Sequence, residues 1–399
     1  MTPEARAQGA IELLDAIIAA AARGGSSADR IAGEWFRARR YAGSGDRRAV
    51  RDLAWRAIRA CGEIPPSGRA ALLLLARDDP ALAGLFAGGR FGPAPVDAGE
   101  PVARAGLAPA WLIERLLESG LDEREIGGLL ERAPLDLRAN RLKTTRDALR
   151  AELPVAAELT QAPDALRLPG GTAAEAWPQF AVGLFEVQDT GSQLACLALA
   201  ARAGESVVDL CAGGGGKTLA LAAAMANTGA LLACDTDRTR LSRLRPRAER
   251  AGAMVETRLL DPGRELERLD DWRGRADAVL VDAPCSGSGT WRRSPETRWR
   301  LRPADLAKLE ALQSRLLDLA AELVRPGGRI GYVVCSLLDS EGPDQAAAFL
   351  ARRSDFGAAE TAGAAGRPRG TGRRLTPLHD GTDGFFFTGF TRVVGMGGS

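Results

Sequence analysis

Two stretches of this sequence concentrate side chains able to do chemistry. The first is Asp209-Leu-Cys-Ala-Gly-Gly-Gly-Gly-Lys-Thr, where an apolar run ends in an acid, crosses four glycines and opens a helix. Such a turn lets backbone approach a ligand closely. The phosphate-loop pattern requires glycine five positions before Gly216, and Cys211 stands there. The dinucleotide fingerprint fails as well, because Thr218 lies three beyond Gly215. What remains, an acid followed by Gly213 and Gly215, suits S-adenosylmethionine, which carries no phosphate and needs backbone and carboxylates. Asp235 ends the next apolar run and is placed to accept from ribose hydroxyls. On this loop alone, a plain tight turn in an α/β protein stays open.

The second stretch is Asp282-Ala-Pro-Cys-Ser-Gly-Ser-Gly-Thr-Trp-Arg-Arg-Ser-Pro, where a strand delivers an acid and then Cys285 onto a loop. Cys335 ends the following strand, just before Ser336. Two thiols at the carboxyl edge of one sheet, beside such a loop, suit covalent catalysis on an unreactive carbon. The other cysteines, Cys61, Cys196 and Cys234, read as core residues. No CxxC pair occurs and His379 is the one histidine, which argues against a Cys/His zinc site and leaves a single imidazole for any triad. No metal is expected.

The elements that must position these residues are legible in outline. Apolar strands at Ser206–Leu210, Ala230–Asp235, Ala276–Asp282 and Gly328–Cys335 alternate with helices, the last preceded by a long helix near 304–324. That alternation predicts a Rossmann-like α/β fold with a mostly parallel sheet covered on both faces. Phe385-Phe-Phe-Thr-Gly-Phe-Thr-Arg-Val-Val should add a final edge strand. Ahead of this region, residues 106–187 read as a small α+β segment, with a helix after Pro109 and a strand at Leu135–Leu142. Residues 5–86 carry apolar residues at helical spacing, including Val50, Leu53, Ala54, Ala57 and Ile58, accompanied by Arg47, Arg48, Arg51, Arg56 and Arg59. Those arginines read as a solvated face in preference to a nucleic-acid surface. The Gly/Pro-rich stretch 88–101 reads as a linker, giving expected domains of 1–105, 106–187 and 188–399.

Composition bounds the class. With 45% apolar residues in 399, the chain can bury a sizeable core. Its 53 basic and 51 acidic residues leave a net charge of +2, so bulk charge announces no nucleic-acid partner. No apolar run approaches the roughly 20 residues of a membrane span. The opening MTPEARAQGA shows no secretory leader, so a soluble, cytoplasmic, monomeric protein is expected.

The quoted stretches resemble signatures of the Sun/Nop family of RNA 5-methylcytosine methyltransferases. Asp209–Thr218 is similar to its DxCAAPGGKT segment, Asp282–Pro295 to DAPCSGxGxxRRxP, and Tyr332–Ser336 to YxTCS. Gln188-Asp-Thr-Gly-Ser-Gln-Leu-Ala and the DGFF within Asp380-Gly-Thr-Asp-Gly-Phe-Phe resemble two further family segments. The likeness spans roughly 107–392, and bacterial members acting on 16S ribosomal RNA are the nearest type. Gly214 stands where the family has proline, Val334 replaces a threonine, and Ser340-Glu341-Gly342 keeps part of an acidic ENE-like segment. Residues 1–86 would correspond to a NusB-like RNA-binding domain.

The resemblance implies transfer of a methyl group from S-adenosylmethionine to carbon 5 of a cytosine in RNA, with ribosomal RNA the expected partner. Cys335 would be the nucleophile at carbon 6, and Cys285 would assist release by β-elimination. Asp282 would bond the base near its nitrogen 3, and Lys217 is a candidate for activating Cys335. The cofactor would be held by Cys211, Ala212, Gly213, Gly214, Gly215, Gly216, Lys217, Asp235, Asp261 and Asp282, with Asp261 near the adenine. Arg292, Arg293 and Arg298, interleaved with Trp299, are expected RNA contacts on an unstacked substrate. The competing classes are a nicotinamide dehydrogenase, which leaves both thiols without a role, and a non-catalytic RNA-binding module. DNA-type carbon-5 enzymes would exchange the roles of Cys285 and Cys335.

Overall fold

A computed structural model describes residues 1–359 and 365–394, and these fall into two compact units. The first unit comprises Met1–Glu131 and Thr290–Arg302; the second comprises Arg132–Gly289 and Pro303 onward. No described helix is long and apolar enough to cross a membrane.

In the second unit, β1 (Leu135–Ala139), β2 (Glu158–Leu159), β3 (Ala165–Leu168) and β4 (Phe185–Val187) form an antiparallel sheet in the order β2-β3-β1-β4. A larger sheet contains β5 (Ser206–Asp209), β6 (Ala230–Asp235), β7 (Glu256–Leu259), β8 (Ala276–Asp282) and β9 (Val324–Val334). It also contains β10 (Phe356–Ala359), β11 (Arg367–Arg369), β12 (Gly372–Leu375) and β13 (Phe385–Arg392). Its order is β11-β12-β13-β9-β8-β5-β6-β7, with β10 against β13, and β5 through β9 run parallel. Alternate residues of each central strand enter opposite cores. Val279 and Val281 pack with Leu316 and Leu317 of helix Pro303–Leu323, whereas Ala278 and Leu280 pack with Leu221 and Ala222 of helix Gly216–Ala224. Burial on both faces explains why these strands read as continuous apolar runs.

The expectation of an edge strand at 385–394 is corrected. β13 pairs antiparallel with β9 on one side and with β12 and β10 on the other. Phe385, Phe386, Phe387 and Phe390 are all buried, so both faces of this strand need cover that an edge cannot give. β7, β11 and β12 escaped the sequence reading because they are polar or arginine-rich at the sheet margin.

The first unit is built from helices, among them Pro3–Ala22, Ala28–Ala38, Ser44–Ala60 and Gly68–Ala76. Thr2, Ser27 and Ser67 cap their starts by accepting backbone N–H groups. Leu13, Leu14, Ile17, Val50, Ala54, Ile58 and Leu72 form its core. Two of the arginines that accompany Val50–Ile58 are tied down within the unit: Arg56 pairs with Asp79 at 3.1 Å, and Arg51 pairs with Asp29 and lies over Trp55.

Arg298 and Trp299 belong to this core, which corrects their assignment as RNA contacts. Arg298 is 0% exposed and its Nη2 donates to the carbonyls of Ile58 and Cys61 at 2.7 and 2.8 Å and of Arg59 at 3.2 Å. Trp299 Nε1 donates to Cys61 at 3.0 Å. These carbonyls end helix Ser44–Ala60, where unsatisfied acceptors and the helix dipole favour a cation. Burial pulls the Arg298 pKa down to about 10, the cost of holding that cation inside. Arg292 is also buried, which closes it to a phosphate in this conformation; Arg293 is half-buried. Arg298→Met should destabilise the chain by about 2–4 kcal/mol, since several buried carbonyls lose their donor. Urea unfolding checks this, and undiminished stability would refute the capping role.

Candidate active site

The parallel part of the sheet reverses direction of growth between β5 and β8. The chain adds β6 and β7 on one side of β5, then returns to add β8 and β9 on the other. Such a reversal opens a crevice at the carboxyl ends of the strands. A cavity of about 780 Å³ occupies that place. It is lined by Cys211–Gly214, Gly216 and Lys217 after β5, by Asp235 after β6, by Asp282–Cys285 after β8, and by Cys335 after β9. Leu309, Leu312 and Arg315 of the long helix close one side.

The glycine loop is held from behind. Gly213 N donates to Asp235 Oδ2 at 2.8 Å, and Asp237 N donates to its Oδ1 at 2.7 Å. Each oxygen retains acceptor capacity toward the cavity. Gly215 has φ +85°, and a Cβ there would lie 2.1 Å from Leu244 Cδ1, so only glycine fits. Arg138 Nη1 donates to Gly216 O at 2.9 Å, and Arg247 Nη1 donates to Gly214 O. Arg247 and Arg250 also pair with the buried Glu186 of β4. The helix carrying them therefore does more than present a solvated face: it fixes the loop in which Gly214 replaces proline.

Two acids sit side by side with different environments. Asp209 is fully buried and accepts from Thr218 Oγ1 at 2.6 Å. Burial, reinforced by the Asp282 charge, pushes its carboxyl up to about 7 despite the Thr218 bond. Asp282 instead accepts from Lys217 Nζ at 2.7 Å. Burial pulls on Lys217, but the Asp282 charge and hydrogen bond outweigh it and hold its pKa above the ordinary lysine value. Lys217 thus bonds Asp282, and reaches Cys335 only through charge.

The two thiols meet. Cys285 Sγ and Cys335 Sγ are 3.3 Å apart. The hydrogen bond to Cys335, followed by burial, pushes the Cys285 thiol well upward. By contrast, Cys61, Cys196 and Cys234 are buried elsewhere, as the sequence suggested, with thiols raised by burial. Behind the pair lies a polar network. Ser286 bonds Ser336 at 3.1 Å, Ser288 bonds Ser336 at 3.0 Å, and Gln313 and Glu341 bond the Cys285 loop. The sequence signalled Glu341 only as part of an acidic segment, and nothing in it marked Gln313. The QDTGS and DGFF segments also come together: Asp189 caps helix Thr190–Leu197 and accepts from Asp383 N at 3.2 Å.

A sequence model described as 16S rRNA methyltransferase RsmB/F matches residues 196–391. Ribosomal RNA small subunit methyltransferase B of Salmonella typhi is 37% identical over 289 residues, covering 70% of this chain and 65% of that protein. The matched chain thus spans just under two thirds of this relative. Residues 196–391 are thus similar to the RsmB/F family of 16S rRNA methyltransferases. Among solved structures, PH0851 superposes with a TM-score of 0.76 at 25% identity, covering 96% of this chain and 98% of that one. NSun6 from Pyrococcus horikoshii, described with SFG, gives 0.64 at 19% identity over 71% of this chain and 98% of that one, a likeness of fold alone. The RsmB/F-like domain has a Rossmann-like class I methyltransferase fold, as expected.

Most of the expected cofactor residues line the cavity of this RsmB/F-like domain. Gly215 lies behind it, in the Leu244 contact. Asp261 is outside the lining too: its carboxyl is exposed and pairs with Arg268 at 3.1 Å, while Leu260, Pro262 and Glu265 face the cavity. The raised Asp209 has a measurable consequence. Its folded-state pKa of about 7 exceeds the ordinary 3.8, so its contribution to stability is complete below about pH 4 and is lost as pH rises through 7. The gap is worth on the order of 4 kcal/mol. Unfolding free energies of Asp209→Asn relative to the unaltered protein should rise from pH 4 to 7. A pH-independent difference would contradict the raised pKa.

Proposed function

We propose that this chain transfers a methyl group from S-adenosylmethionine to carbon 5 of a cytosine in RNA, with ribosomal RNA the substrate class. The observation that carries the reading is the pair of thiols 3.3 Å apart on the rim of a cavity that also holds the Lys217–Asp282 pair. Similarity to the RsmB/F family supports it, and the lining of the cavity fits the cofactor: backbone of Ala212–Gly214, the Asp235 carboxyl for ribose hydroxyls, and apolar Leu260, Leu309 and Leu312 for the base. S-adenosylmethionine, when bound, supplies the electrophilic methyl group.

Carbon 5 of cytosine is too weak a nucleophile by itself. Addition of Cys335 Sγ to carbon 6 converts the ring to an enamine and directs electron density to carbon 5. Asp282, held by Lys217, is placed to bond the base near nitrogen 3 as charge develops there. While Cys335 is free, its hydrogen bond is the largest influence holding the Cys285 proton in place. Once Cys335 is bonded to carbon 6, that influence is gone and Cys285 ionises more readily. After carbon 5 has taken the methyl group, Cys285, having given its own proton to solvent, takes the proton from carbon 5. The electrons of that C–H bond form the carbon 5–carbon 6 double bond and expel Cys335 as thiolate, releasing the methylated base. Arg293 is the remaining candidate among the three proposed RNA arginines. The reacting base must leave its stack to meet the thiols.

Asp235→Ala should weaken cofactor affinity by about 1–3 kcal/mol, read by calorimetry with S-adenosylmethionine. Undiminished affinity would remove Asp235 from the ribose site. Cys335→Ala should abolish both methylation and the covalent protein–RNA species. Cys285→Ala should methylate once and then retain RNA through denaturing electrophoresis, and the double variant should lose that species. A trapped species in Cys335→Ala and none in Cys285→Ala would overturn the assignment. Bisulfite sequencing of ribosomal RNA with and without the active protein identifies the modified position.

A further inference from the structure

We infer that Gln313 and Glu341 are a positioning pair that sets Cys285 for the release step. Both side chains are fully buried; Gln313 Nε2 and both Glu341 carboxylate oxygens have partners there, while Gln313 Oε1 has none among the described residues. Their partners are the two residues that flank Cys285. Gln313 Nε2 donates to Pro284 O at 2.9 Å, and Ser286 N donates to Glu341 Oε1 at 2.8 Å. Ser286 Oγ donates to Glu341 Oε2, and Gln313 Nε2 also donates to Glu341 Oε1 at 3.0 Å, which joins the two supports into one. Glu341 is itself anchored through its backbone, whose carbonyl accepts from Tyr332 Oη at 2.6 Å.

Cys335 rests on other supports. It follows β9 directly, and its carbonyl accepts from Gly289 N at 3.0 Å. Two hydroxyl contacts, from Ser286 and Ser288 to Ser336 at 3.1 and 3.0 Å, link the two loops. The pair therefore governs the loop of one thiol far more than that of the other. An error of about an ångström in placing a proton-transfer group costs up to a hundredfold in rate. Loss of the pair should consequently damage proton removal from carbon 5 while sparing attack at carbon 6.

The inference rests on the proposed roles of the two thiols, so Cys285→Ala is the reference in its test. Gln313→Met, nearly isosteric, and Glu341→Ala are compared with it using an RNA substrate and S-adenosylmethionine. First-turnover methyl transfer should stay within about threefold of the unaltered protein, while multiple turnover falls about tenfold or more and the covalent species accumulates. A purely structural role would lower both steps together, and that result in a folded variant, or the absence of any accumulated species, overturns the inference. Should Glu341→Ala not fold, Gln313→Met decides alone. If Cys285→Ala itself fails to accumulate the species, the roles of the thiols are wrong; if it accumulates and neither variant does, only the positioning role is.

Discussion

β8 is the strand on which the site depends. It pairs in parallel with β5 on one side and β9 on the other, with Asp209 opposite Leu280 and Asp282 opposite Val333. That register brings three chain segments to one edge, each one to three residues past its last ladder partner. The glycine loop leaves β5, the Asp282–Cys285 loop leaves β8, and Cys335 leaves β9. A one-residue slip would turn every side chain to the other face and part the thiols. Apolar residues packed on both faces of β8 hold the register, so the reactive edge is rigid because the interior is dense.

Against that apolar interior, each polar group at the edge is set by what it meets first. Asp209 meets burial, which drives it toward neutrality despite the hydroxyl of Thr218. Asp282, less buried, meets an ammonium group. The thiols meet each other at 3.3 Å, a contact that with burial pushes the Cys285 thiol upward. The chemistry proposed for the domain uses those differences.

Arginine shows how far environment decides function in this chain. Arg298 closes a helix end in the first unit, Arg247 and Arg138 hold carbonyls of the glycine loop, and Arg374 pairs with Asp339 behind the thiol strand. In sequence Arg298 looks like a candidate for phosphate. The planar, multi-donor group of arginine suits buried carbonyls and carboxylates equally well.

The sequence by itself determined the parallel α/β class, the glycine loop, the acids at strand ends and the two thiols. Each depends on local pattern: apolar runs bounded by turns, and residue types at strand termini. It also separated Cys61, Cys196 and Cys234 from the reactive pair. Tertiary structure decided the rest. Only packing shows that β13 is interior, since burial on both faces of its phenylalanines comes from strands distant in sequence. Only packing shows that Arg298 and Trp299 are core, because their acceptors lie more than 200 residues away in the chain. Gln313 carries no local signal at all, being one polar residue on a long helix. It becomes legible when the fold places its amide against Pro284 and Glu341, where a buried hydrogen bond has to be satisfied.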